Sequence, residues 1–165
     1  MSRLTYPAHL RRATLDLAAG ADPRELGIGR EWTVTDHEAW LGHGRGCFDA
    51  ATRRLLSWRA HRHASVEVER EGSVLRLKLG PTRSPCQILV EESTPTHTVL
   101  VYGTLPGHVL SGEEAFLITL APDGTVLGRC VAFSRLSWWL ARVGAPVARR
   151  VQRAATRSYV SGMRP

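Results

Sequence analysis

Apolar residues recur at every second position in a series of short runs between residues 65 and 133, and at every third or fourth position on either side of that region. A period of two puts alternate side chains on opposite faces of a strand; steps of three or four keep them on one face of a helix. In residues 74–79, Val74, Arg76 and Lys78 alternate with Leu75, Leu77 and Leu79. Glu71-Gly72-Ser73 reads as the hairpin turn joining this strand to one over residues 65–69. Further strands are predicted over 87–91, 98–102, 115–120 and 126–133, the last two joined by Pro122-Asp123-Gly124, a strong turn signal. Trp32, Val34, Trp40 and Leu41 mark a first strand over 31–41. After the glycine-rich turn Gly42-His43-Gly44-Arg45-Gly46, the spacing of Phe48, Ala51, Leu55 and Trp58 predicts a helix.

Two more helices are expected. Leu10, Leu15 and Leu17 suggest one over 8–19, ended by Pro23 and Gly27-Ile28-Gly29. Leu136, Leu140, Val143, Val147, Val151 and Ala154 form the apolar stripe of a long helix over 136–161. Pro146 should kink it, or restart it with proline in the first turn. One strand, a helical connection, an antiparallel meander and a terminal helix make an α+β chain, not one of βαβ crossovers. The 165 residues fit a single domain. Within it, 1–30 form an N-terminal extension, 31–135 a sheet with a helical insertion, and 136–162 the C-terminal helix.

Composition narrows the function classes. Hydrophobic content is 43%, and no apolar run reaches the ~20 residues of a membrane span. The N-terminus has no signal core, so a cytoplasmic location is expected. Cys47, Cys86 and Cys130 are odd in number and far apart, which argues against a disulfide framework or a zinc knuckle. The net charge of +7 is uneven: residues 124–165 hold eight arginines and no acid. Arg142, Arg149, Arg153 and Arg157 share one helix face, so nucleic acid or an anionic surface is a possible partner, though not the favoured one. No metal site is expected. His61 and His63 would share one face of a strand, but no third ligand is evident. No cofactor motif is present: Gly42–Gly46 lacks the lysine and the βαβ context of a phosphate loop.

The densest chemistry lies in Tyr102-Gly103-Thr104-Leu105-Pro106-Gly107-His108, followed by Ser111-Gly112-Glu113-Glu114-Ala115-Phe116. Adjacent strand residues face opposite ways, so only one of Glu113 and Glu114 can point inward. An inward glutamate within reach of His108 would raise the imidazole's pKa and fix its tautomer. Arg135, closing the last strand, would pair with Glu113 or Glu114 if it turned inward.

These segments, with Leu41-Gly42-His43-Gly44, Ala132-Phe133-Ser134-Arg135, Gly144-Ala145-Pro146-Val147, Gln152 and Tyr159, resemble the family catalogued as domain of unknown function 1990. The resemblance covers residues 40–162. It carries no activity, but it implies a START-like helix-grip fold: a curved antiparallel sheet wrapped around a long C-terminal helix, with a cavity between them. The expected function is binding of a small, partly apolar molecule there, with Tyr102, Thr104, His108, Glu113, Glu114 and Arg135 as ligand contacts. The alternative is a cyclase- or hydrolase-like enzyme in the same cavity, with His108 as general base and Glu114 beside it.

Overall fold

The computed structural model describes residues 4–136 and 145–165. Seven strands form one sheet: β1 (Thr33–His43), β2 (Glu67–Glu71), β3 (Val74–Leu79), β4 (Thr82–Ser93), β5 (His97–Thr104), β6 (Leu110–Leu120) and β7 (Thr125–Leu136). Their order across the sheet is β1-β7-β6-β5-β4-β3-β2, antiparallel throughout. Strands β2 to β7 are therefore a plain meander, and β1 closes onto β7. The connection from β1 to β2 crosses from one sheet edge to the other through two helical segments, α2 (Arg45–Leu56) and α3 (Arg59–His63). The short α1 (Ala13–Ala18) and a 3₁₀ turn (Ala8–Leu10) precede the sheet, and α4 (Ala145–Met163) ends the chain. Bulges between Trp40 and Gly42 in β1 and between Ile88 and Val90 in β4 bend the sheet.

The two faces carry separate cores. On the inner face, Leu75, Leu77, Cys86, Leu100, Tyr102, Phe116, Ile118, Val126 and Cys130 pack against Phe48, Ala51 and Leu55 of α2, Ala60 of α3, and Tyr159, Val160 and Met163 of α4. On the outer face, Leu4, Tyr6, Leu10, Ala13, Leu17 and Ile28 of the extension, with Trp32 just before β1, pack against Leu105, Val131 and Phe133. The extension is thus an outer layer of the fold. Gly162 sets the approach of α4 to α3: a Cβ there would lie 2.8 Å from the Ala60 carbonyl oxygen and 2.8 Å from the His63 Cβ.

Several elements differ from the sequence expectation, each for a local reason. The helix expected over 8–19 is broken at Arg12, whose φ of 65° is left-handed. Its amide is taken by Glu113 instead of by a helical carbonyl. Residues 59–63 are helical, not extended, because Trp58 (φ 62°) ends α2 and restarts the chain as α3. His61 and His63 therefore share no strand face: His61 is fully buried and His63 exposed. Strand β7 runs on to Leu136, where the long helix was expected to begin. Pro146 falls in the first turn of α4. The stripe positions Leu140 and Val143 lie outside the described residues. Ala154, assigned to the stripe, is exposed; among the residues of α4 whose burial is described, Thr156, Tyr159, Val160, Gly162 and Met163 are buried. Strands β4, β5 and β6 are longer than predicted because their ends include Pro85, Gly103 and Gly112 respectively, residues that argue against strand when read singly.

Candidate functional site

A hollow of about 390 Å³ lies between the inner face of the sheet and α4. That size is within the range of small-molecule sites. Val66, Leu77, Leu110, Ala132, Leu136 and Ala155 give it apolar walls. Thr35, Ser134, Gln152 and Thr156 add polar groups under α4, where Thr156 Oγ1 lies 3.3 Å from Thr35 Oγ1 and the Gln152 amide donates to Ser134.

Glu114 is the acid of the hollow. Alternation along β6 sends it inward with Phe116 and Ile118, and Glu113 outward. The Tyr102 hydroxyl, on the cross-strand neighbour, donates to Glu114 Oε2 at 2.7 Å. The Cys130 thiol on the other flanking strand donates weakly to Oε1 at 3.5 Å. Burial raises the Glu114 pKa, opposed by the Tyr102 and Cys130 hydrogen bonds. Burial, with the charge of Glu114, in turn pushes up the Tyr102 and Tyr159 hydroxyls and the Cys86 and Cys130 thiols. Those thiols are inert as nucleophiles.

Behind Tyr102 stands His61, which sequence reasoning missed as a site residue. Its Nε2 lies 3.1 Å from the Tyr102 hydroxyl oxygen. The ring is packed by Trp58, Phe116 and Tyr159 at centroid distances of 5.0 Å each. Burial, with a smaller effect from Arg62, lowers its pKa to about 3, so it is neutral. The signal was present: the three-to-four spacing of Phe48, Ala51, Leu55 and Trp58, carried one step further, lands on His61.

His108 also lines the hollow, from the β5–β6 loop. The Leu105-Pro106-Gly107-His108 turn closes with the His108 amide on the Leu105 carbonyl at 3.1 Å, and Gly107 takes φ 99°. Its Nδ1 accepts the Leu110 amide at 2.9 Å, which leaves Nε2 as the protonated nitrogen. Burial lowers its pKa to about 4. The expectation of a glutamate raising this pKa is therefore corrected. The hydrogen bonds of Glu114 go to Tyr102 and Cys130, and those of Glu113 go to the extension.

Glu113 is buried on the outer face and accepts four hydrogen bonds. The Tyr6 hydroxyl (2.6 Å) and Arg12 amide (2.8 Å) meet Oε2; the Thr14 amide (3.1 Å) and hydroxyl (2.6 Å) meet Oε1. Gly103, its cross-strand partner, makes room for this: a Cβ there would lie 2.3 Å from the Tyr6 hydroxyl. Thr104 is engaged locally as well. Its hydroxyl receives the Gly112 amide at 2.9 Å, donates to the Gly112 carbonyl at 3.1 Å, and meets the Thr5 hydroxyl. Arg135 does not turn inward. It shares the outer face with Val131 and Phe133, and its guanidinium stacks 4.5 Å from the Trp32 ring centroid. Inward and outward side chains alternate along β7, so the expected pair with a glutamate is not made. Among the described residues, no group of three histidine, cysteine or acidic side chains could hold a metal, and no helix is long and apolar enough to cross a membrane.

Comparison with known proteins agrees with this geometry at the level of the fold. Solved structures similar to this chain include the di-domain ARO/CYC StfQ from the steffimycin biosynthetic pathway, with a TM-score of 0.58 and 13% identity over 94% of this chain and 56% of that one. A START superfamily protein from Mycobacterium smegmatis gives 0.55 and 11% identity, over 79% of this chain and 94% of that one. Truncated norcoclaurine synthase from Thalictrum flavum gives 0.53 and 10%, over 79% and 91%. At such identities they establish the START-like helix-grip fold and nothing about chemistry. In sequence, a UPF0548 protein of Deinococcus radiodurans is 29% identical over 143 residues, covering 74% of this chain and 72% of that one. A UPF0548 protein of Dictyostelium discoideum is 45% identical over 58 residues, 31% of this chain and 27% of that one. The family model described as "Domain of unknown function (DUF1990)" matches residues 17–162, and the chain belongs to that family.

Proposed function

We propose that this protein binds a small, partly apolar molecule in the hollow between the sheet and α4, with Glu114 and Tyr102 as its main polar contacts. The observation that carries this reading is a buried carboxyl facing about 390 Å³ of largely apolar space. A carboxyl placed there for stability alone would be a poor choice, because burial disfavours its charged form. His108 is a contact at the rim. Thr104 and Glu113 also border the hollow, but the Thr104 hydroxyl is engaged by Gly112 and the Glu113 carboxylate by the outer layer, while Arg135 stacks on Trp32 away from it. The test is a thermal-shift screen of small aromatic and alicyclic fragments, alongside native mass spectrometry of gently purified protein. Ala132→Phe, which fills the hollow, is the control. The reading fails if nothing co-purifies and no fragment's stabilisation is lost in that variant.

A second reading, acid–base catalysis in the same hollow, is favoured by the raised proton affinity of Glu114. It moves the proton-transfer role from His108, whose pKa near 4 makes it a weak base, to Glu114. Turnover of any bound carbonyl compound by the wild type, abolished in Glu114→Gln with binding retained, would establish it. Equal turnover in both would refute it.

A further inference from the structure

His61 holds the one buried side-chain nitrogen among the described residues that has no hydrogen-bond partner, its Nδ1. Leaving such an atom dry costs about 1–3 kcal/mol, and an apolar ring would fill the same space without that cost. The explanation lies at the other nitrogen. The Tyr102 hydroxyl has a single proton, and it is directed at Glu114 Oε2, 2.7 Å away. The contact of 3.1 Å between His61 Nε2 and that hydroxyl oxygen therefore needs the proton on Nε2. Nδ1 is then a bare lone pair on a buried ring packed by Trp58, Phe116 and Tyr159. The imidazole has no further partner to pass a proton to, so it is a fixed terminal donor and not a relay.

The result is a directed chain, His61 N–H to Tyr102 O–H to Glu114. A hydroxyl that accepts one hydrogen bond donates the next one more strongly. The Cys130 thiol donates to the other carboxyl oxygen from the opposite strand. Both oxygens of Glu114 are thus held as acceptors. The titratable groups that face it are Tyr102 from β5, Cys130 from β7, Cys86 from β4 and Tyr159 from α4, with His61 of α3 behind and His108 lining the same hollow from the β5–β6 loop. None of these is a cation at neutral pH. The chain carries 22 lysines and arginines, yet none is found among the described residues that line the hollow. A buried acceptor carboxyl in an apolar space without its own cation is complementary to a cation brought by the ligand.

We infer that His61 is a positioning residue: acting through Tyr102, it holds Glu114 as a hydrogen-bond acceptor and so directs the hollow toward a protonated amine carried on a small apolar body. This rests on the binding reading above and names its ligand class.

The experiment reads Glu114 directly. The side-chain carboxyl carbon is followed by carbon-13 NMR against pH in the full chain, with Glu114→Gln assigning the resonance. Benzylamine, benzyl alcohol and benzoate are then titrated at fixed pH. In His61→Phe the midpoint of Glu114 should move up, and the melting temperature should hold or rise because the unpartnered nitrogen is gone. Benzylamine should bind the wild type in preference to benzoate and lose about tenfold in affinity in that variant, the worth of one charge-assisted hydrogen bond. His61→Leu removes the same donor and serves if His61→Phe does not fold. Tyr102→Phe, which removes the direct donor to Glu114, should move the midpoint further than either. An unmoved Glu114 midpoint in the His61 variants overturns the role of His61. Benzoate binding as tightly as benzylamine overturns the ligand class. If none of the three probes binds while the midpoint still moves, the binding reading fails and the His61–Glu114 coupling stands.

Discussion

Replacing Glu113 by glutamine should detach the outer layer while leaving the inner face in place. The carboxylate offers two oxygens to four donors, two of them the backbone amides of Arg12 and Thr14. An amide side chain keeps one oxygen and turns the other into a donor. The hydroxyls of Tyr6 and Thr14 can rotate and accept from it, but a backbone N–H cannot. Whichever way the glutamine lies, one buried amide is orphaned, at about 1–3 kcal/mol, and the remaining bonds lose their charge assistance, so about 2–4 kcal/mol in all is expected. Urea denaturation gives the total. Hydrogen exchange over residues 4–18 and tryptic cleavage at the exposed Arg11 and Arg12 locate it. A stability change under about 0.5 kcal/mol, with protection of residues 4–18 unaltered, would refute the view that this carboxylate anchors the extension.

Glu114→Gln should have the opposite sign at neutral pH. The folded state raises the proton affinity of Glu114, so the native protein loses stability as pH rises from the ordinary carboxyl range through the raised folded value. The glutamine variant should therefore be the more stable above that window, by about 1.4 kcal/mol for each tenfold change in proton affinity, and equal to wild type in acid, as melting curves across pH would show. Gly112→Ala should prevent folding or cost more than about 3 kcal/mol, because its Cβ would lie 2.0 Å from the Phe133 carbonyl oxygen, whereas Gly103→Ala displaces a side chain, Tyr6, and should cost about 1–3 kcal/mol by denaturation. Reversing Arg150, Arg153 and Arg157, all exposed on α4, should abolish any salt-sensitive retention on an anionic column, and retention that does not change with salt would dismiss an anion-binding role for that face.

The sheet was legible in the sequence because strand alternation is a local signal. The meander, the hairpin at Gly72 and the turn at Pro122-Asp123-Gly124 need only neighbouring residues to be read, and the same alternation implied that Glu113 and Glu114 must part company. Applied along β7, it would also have turned Arg135 outward beside Phe133. What the sequence could not show were effects decided by distant partners. Helix 8–19 has a helical pattern, but a carboxylate about a hundred positions away takes the Arg12 and Thr14 amides and bends the chain at Arg12. Gly103 and Gly112 lie within strands, and what they accommodate, Tyr6 and the backbone of β7, is distant in sequence. His61 was weighed as a metal ligand on a strand; the left-handed turn at Trp58 makes it a buried helical residue instead, continuing the spacing that runs from Phe48 to Trp58.

The central motif is best understood as one cross-strand step with two faces. Gly103 pairs with Glu113 and Tyr102 with Glu114, side by side on β5 and β6. On the outer face the pair needs a missing side chain, so that Tyr6 can reach a carboxylate. On the inner face it needs a hydroxyl, so that another carboxylate has a donor. Tyr-Gly opposite Glu-Glu satisfies both needs with four residues. The two faces share a backbone, with Glu113 and Glu114 adjacent on β6. The partners that anchor Glu113, namely Tyr6, Arg12 and Thr14, precede the segment matched by the family model, while Tyr102, Glu114 and His61 lie within it. The three residues that hold Glu113 and the residues that would contact a ligand are therefore separate in the sequence, although Glu113 and Glu114 are adjacent on a single strand.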